Sequence, residues 1–186
     1  MLINTDRHPF VVSFYEEVPV GMAQAMRNHA NVFPGVDEKM KVGDMYVSNW
    51  NFYDDTESSK PSKHNNYSDV ILKHRESMIE VAMNVFQRDI KIDDSWIHIY
   101  KKGSSFERHN HADYKTPNWD KKFVLLHYIS RGEGPGGNIE LYKPTMTFTP
   151  YTGMILIFPA ITEHKVSPYE GYASERMVVG MNIEIK

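Results

Sequence analysis

The sequence predicts an α+β fold in which helices pack on one sheet of a β-sandwich or jelly-roll-type barrel. Two observations carry this reading. Residues 67–86 repeat apolar side chains at three- and four-residue steps, the period of an amphipathic helix. From residue 96 onward the pattern changes to at least five short β-rich runs with Gly and Pro between them.

The elements follow in order. Phe10–Tyr15 (FVVSFY) reads as a buried strand ended by Pro19, and Gly21–Val32 as a short helix stopped by Pro34-Gly35. Asp44–Tyr53 alternates aromatic and polar residues, as a half-buried strand would. Residues 54–66 are polar and proline-containing, a surface loop. The long helix places Val70, Ile71, His74, Met78, Ala82 and Val85 on its core face, with Ser68 as N-cap and Asp69 in the first turn. The later strands are Trp96–Tyr100, Phe123–Ser130, Gly137–Tyr142, Met154–Phe158 and Met177–Ile185. Residues 1–186 form one domain on this reading: 1–95 a support region of helices and strands, 96–186 the half that carries the chemistry.

Composition narrows the function. A formal net charge of -3, with Lys and Arg dispersed among acids, is unlike a nucleic-acid binder. The absence of Cys excludes disulfides, thiolate metal sites and Cys nucleophiles, and favours a reducing compartment. Asp6 and Arg7 interrupt any signal peptide, and no apolar run spans a bilayer, so a soluble cytoplasmic protein is expected. Nine histidines hint at a metal.

The hint becomes specific in Phe106–Tyr114 (FERHNHADY). On an extended chain, His109, His111 and Asp113 share one face. His164, shortly after the apolar run Met154–Phe158, is the distal candidate ligand. Two imidazoles and one carboxylate on one face of an octahedron leave room for a bidentate co-substrate and O2, as in non-haem Fe(II) oxygenases.

An ordered set of motifs extends this pattern: Tyr100-Lys-Lys-Gly103, His111-Ala-Asp113, the strand FVLLHYIS, Gly136-Gly137 before a strand, Pro150-Tyr-Thr-Gly153, His164-Lys-Val-Ser-Pro168, and Arg176. In these pieces the chain resembles the 2-oxoglutarate/Fe(II)-dependent oxygenase superfamily, in particular its prolyl-hydroxylase-like and phage-type members. The resemblance covers about residues 96–186. It implies a double-stranded β-helix (jelly-roll, cupin-like) and a hydroxylase using Fe(II), 2-oxoglutarate and O2. It also implies metal ligation by His111, Asp113 and His164. Arg176 would pair with the distal carboxylate of 2-oxoglutarate, assisted by Tyr128 and Tyr100. The substrate would be a peptidyl residue or a small molecule.

Two counts of the ligand register compete. Forward from Tyr100-x-x-Gly103 and Phe106, the first family histidine is His109, and His111 stands where Asp is usual. That count gives a three-histidine site. Backward from FVLLHYIS, His111 and Asp113 fit; this count supplies the carboxylate and is preferred, leaving His109 to support the ligands or meet substrate. Val178 stands where many members carry Ser or Thr, and the interval from His164 to Arg176 predicts a bulged turn over 169–174. His127 is expected to be structural or outward-facing, His98 packed or at the surface, and His8, His29 and His64 solvent-exposed. The loop Tyr114–Lys122 is expected to cover the site, with Trp119 either meeting substrate or packing within the loop. Two alternatives remain: a cupin-type metalloenzyme without 2-oxoglutarate, and a non-enzymatic jelly-roll interaction protein.

Overall fold

The computed structural model describes residues 10–33, 35–36, 39–54, 68–143, 145–171 and 174–186. The expected loop beyond residue 54, the side chain of Ser68, and His8 and His64 lie outside these residues. In chain order the elements are β1 (Val12–Tyr15), α1 (Met22–Val32), β2 (Lys41–Val42), β3 (Met45–Val47), α2 (Ser68–Phe86), β4 (Ile90–Tyr100), β5 (Ser105–His109), β6 (Lys122–Ser130), β7 (Ile139–Tyr142), β8 (Met146–Phe148), β9 (Met154–Pro159), β10 (Glu163–Val166) and β11 (Arg176–Ile185).

The strands form two antiparallel sheets, a large one in the order β1-β9-β6-β11-β4-β3 and a small one in the order β2-β5-β10-β7-β8. The long strands of the large sheet read as near-continuous apolar runs because both of their faces are covered. On β4, Ile97 and Ile99 pack with Met26, Met78 and Ala82 from the helices. The alternate residues Trp96 and Tyr100 turn the other way and pack with Phe106, Ile139 and Leu141 of the small sheet. One core thus lies between helices and sheet, and a second between the two sheets. Fully burying each such side chain contributes ~1.5–3 kcal/mol.

The long helix forms as its period predicts, and four of the five late strands appear within two residues of their expected bounds; β4 begins at Ile90, six residues before the expected Trp96. Asp44–Tyr53 differs. Only Met45–Val47 is strand; the chain then leaves the ladder, and residues 52–54 form a helical turn. Hydroxyls replace the missing ladder bonds: Ile97 N–H donates to Ser48 Oγ (3.0 Å) and Tyr53 N–H to Ser95 Oγ (3.1 Å). Asn49 competes for the backbone in the same way, its Oδ1 accepting from Asn51 N–H.

His29, expected to be exposed, is buried on α1, where its ring stacks on Phe33 at 4.4 Å. His74 faces the core as expected, but it is not alone there. Tyr53 Oη lies 2.8 Å from His74 Nδ1, and His74 Nε2 lies 2.8 Å from His127 Nδ1. This polar chain links α2 to β6 inside the helix–sheet core. His127 is therefore a structural residue, buried rather than outward. Among the described residues no helix is long and apolar enough to cross a membrane.

Candidate metal centre

The site lies between the two sheets. On the small sheet, His164 of β10 stands directly opposite His109 of β5 in the ladder, so their rings meet at 4.2 Å between centroids. His111 joins them at 5.2 Å from His109 and 5.3 Å from His164. One ligand nitrogen from each of the three falls within 4.8 Å of the others, a spacing from which three imidazoles can converge on one ion.

The hydrogen bonds fix the tautomers. His109 Nδ1 lies 2.7 Å from the Glu107 carbonyl and His164 Nδ1 lies 3.1 Å from the Thr162 carbonyl. A carbonyl only accepts, so each Nδ1 carries the proton and each Nε2 is left as the nitrogen able to ligate. Burial, followed by the charge of neighbouring His109, pushes His111 down to about 3 and holds His164 well below the ordinary histidine value. Both are neutral at physiological pH, the state a metal needs. Trp96 lies flat against His111, 5.1 Å away with 15° between planes, and fixes its ring.

Asp113 is not brought together with these three. The alternation that would put it on their face holds only while the backbone is extended, and β5 ends at His109. The N–H groups of His111 and Ala112 both bond the Ala160 carbonyl, and the chain curls away. Asp113 then opens a turn, its Oδ1 accepting from the N–H groups of Lys115 (2.8 Å) and Thr116 (3.0 Å). Its carboxylate lines a separate outer groove with Tyr114 and Trp119. Trp119 is partly buried, packed against the inter-sheet core and edge-on to Tyr114.

The far end of the inter-sheet cavity is cationic. Arg176, at the start of β11, is 2% exposed and pairs in register with Tyr100 of β4. Its Nη1 donates to the Gly137 carbonyl, Nη2 to the Gly136 carbonyl at 2.9 Å and Nε to the Arg131 carbonyl at 3.4 Å. The guanidinium lies over the Tyr169 ring at 4.9 Å. Burial lowers the pKa of Arg176 from its usual value, yet an arginine stays charged. No carboxylate among the described residues pairs with it. Burial also raises the phenols of Tyr100 and Tyr128, which stay protonated beside the guanidinium.

One cavity therefore joins the three imidazoles to Arg176, Tyr100 and Tyr128, and no Asp or Glu among the described residues lines it. A divalent cation fits the donor set. A dianion matches the charge of a cation and of the guanidinium, whose five N–H donors have only three carbonyl partners. Of the residues singled out from sequence, His109, His111, His164, Arg176, Tyr128 and Tyr100 meet here. Sequence reasoning missed His98, which lines the same cavity, and Tyr169, which underlies Arg176. The alternation of Trp96, His98 and Tyr100 on one strand was the available signal for the former; nothing local marked the latter.

Residues 95–184 match the family model described as 2OG-Fe(II) oxygenase superfamily. No curated protein matches the chain. Among solved structures, an oxidoreductase of the 2OG-Fe(II) oxygenase family from Burkholderia pseudomallei is 16% identical, with TM-score 0.64, over 94% of this chain and 85% of that one. A Pseudomonas putida prolyl-4-hydroxylase is 16% identical, with TM-score 0.62, over 95% and 92%. HygX from Streptomyces hygroscopicus, with nickel, 2-oxoglutarate and hygromycin B bound, is 8% identical, with TM-score 0.65, over 95% and 83%. At these identities the likeness is one of fold.

Proposed function

Because residues 95–184 carry the sequence pattern of the 2OG-Fe(II) oxygenase superfamily, we propose that this protein is an Fe(II)- and 2-oxoglutarate-dependent dioxygenase that hydroxylates a C–H bond. Its two sheets are read as a double-stranded β-helix over 96–186, supported within one domain by residues 1–95. The observation that carries the proposal is the cavity itself. Three imidazoles stand at one end and a buried guanidinium at the other, with no carboxylate among the described residues paired with it or lining the space between.

His109, His111 and His164 would hold the metal, and Arg176 with Tyr128 and Tyr100 would hold the distal carboxylate of 2-oxoglutarate. When bound, the metal supplies activation of O2 at the expense of 2-oxoglutarate. The protein's own groups do the positioning. Nδ1–H bonds to backbone carbonyls aim two of the imidazoles, and Trp96 holds the third. The Gly136 and Gly137 carbonyls orient the guanidinium fork. Leu126, Ile139, Val166 and Val178 line the passage and exclude water. Trp50, half-exposed beside Trp96 and His111, marks the mouth where substrate would enter. A peptidyl or small-molecule substrate suits that mouth; the similar folds include a prolyl-4-hydroxylase and an enzyme with hygromycin B bound.

The three-histidine donor set also favours a second reading, a cupin-type metalloenzyme that needs no 2-oxoglutarate. One experiment separates the two. Anaerobic addition of Fe(II) and 2-oxoglutarate should give a metal-to-ligand charge-transfer band in the wild type and in Asp113→Ala. The band should be lost in His164→Ala and His109→Ala, and in Arg176→Ala at the same co-substrate concentration. Metal binding without the band in the wild type would favour the second reading. Loss in Asp113→Ala with retention in His109→Ala would restore the carboxylate ligand.

A further inference from the structure

The inward row of β4 runs the length of the cavity. Trp96 stacks on His111 at the metal end, and Tyr100 pairs in register with Arg176 at the other. His98 stands between them, 7% exposed, its ring stacked on Phe106 at 4.9 Å with 19° between planes. Its Nδ1 lies 3.2 Å from the Tyr100 hydroxyl, while its Nε2 is buried without any hydrogen-bond partner. A buried imidazole nitrogen left unpaired is costly, and such groups are rare unless a ligand completes them.

The tautomer follows from the neighbours. The positive charge of Arg176 beside Tyr100 turns the phenol oxygen towards the guanidinium and its hydrogen towards His98 Nδ1. His98 then carries its own proton on Nε2, a buried and unpaired donor on a residue that lines the cavity. With no acid among the described lining residues to receive it, the partner must come from the ligand. We propose that His98 is a co-substrate-binding residue whose Nε2–H donates to a carboxylate oxygen of 2-oxoglutarate held between the metal and Arg176. This rests on the oxygenase reading above. The donor lies midway along the cavity, so it discriminates for an anion that fills the whole span and against a short one that occupies the metal end alone.

The test measures 2-oxoglutarate affinity anaerobically with Fe(II), and Mn(II) affinity separately without co-substrate. His98→Phe keeps the stack on Phe106 and removes the donor; the 2-oxoglutarate Kd should rise about tenfold or more. His98→Gln restores an N–H and should recover most of that loss, while Mn(II) affinity changes less than about twofold in both variants. Unchanged 2-oxoglutarate affinity in His98→Phe would overturn the assignment, as would a parallel loss of Mn(II). A second measurement needs no variant. In Zn(II)-loaded wild type the His98 Nε2–H proton resonance should move downfield on adding 2-oxoglutarate, and an unmoved resonance would also overturn it. A wild type that binds metal but no 2-oxoglutarate removes the oxygenase reading and this proposal together. Normal wild-type binding with an indifferent His98 removes this one alone.

Discussion

Gly137 shows how much of the site depends on atoms that are not there. Its φ is +62, in the region that favours glycine, and a Cβ at this position would overlap the Arg176 guanidinium. The residue thus supplies both a turn and the space in which its own carbonyl receives Nη1. Gly137→Ala should displace Arg176 and weaken 2-oxoglutarate about tenfold or more by calorimetry, while Mn(II) affinity stays near wild type. Equal loss of both ligands would mean that the substitution disturbs the sheets rather than the guanidinium. At this scale the sequence identified most of the site, since His109, His111, His164, Arg176, Tyr100 and Tyr128 were all named from residue type and order. It favoured Asp113 over His109 as the ligand beside His111, a choice that depends on where β5 stops being extended. Two backbone N–H groups shared with one distant carbonyl, Ala160, end the strand, and no local pattern encodes that contact.

Among the elements, the interface of α2 with β6 carries the buried chain Tyr53–His74–His127. Burial, reinforced by the neighbouring His127, lowers His74 to about 3, and burial lowers His127 to about 4. Above pH ~6.5 both are neutral whether the protein is folded or not. As pH falls below that value the unfolded chain takes up two protons that the folded one refuses until about 4 and about 3. Stability is therefore lost on acidification, by ~1.4 kcal/mol per pH unit for each group. Urea unfolding of the metal-free protein at pH 7, 6 and 5 should show this decline. In a His74→Leu/His127→Leu double variant the slope should be shallower by about two protons; an unchanged slope would place the acid sensitivity elsewhere. The helix itself was legible, because a 3.6-residue period sustained over nineteen residues matches an amphipathic helix and no strand. The short strand β10 was not: its four residues are too few for alternation to register. His164 was therefore expected to follow a strand, whereas it lies within one.

Across the whole molecule, the proposed metal ligands His109 and His164 belong to the small sheet, whereas Arg176, Tyr100 and Tyr128 belong to the large one. A co-substrate spanning the cavity would tie the two layers together. Mn(II) and 2-oxoglutarate, each at about 100 times its Kd, should together raise Tm by more than the sum of their separate effects. Each saturating ligand contributes ~2.7 kcal/mol, or about 5–10 °C for a chain of this size. Strictly additive shifts in a thermal melt would show that the two sheets respond independently. The acid-free cavity has one further consequence. A divalent ion held by three imidazoles would keep its full charge and face a guanidinium, and among the described lining residues no anion would relieve either. On the oxygenase reading, a dianionic co-substrate relieves both at once, so whatever factor the metal adds to its affinity it must return to the metal's. The protein would then act as a coincidence detector, holding iron firmly only while 2-oxoglutarate is abundant and releasing it when that supply falls.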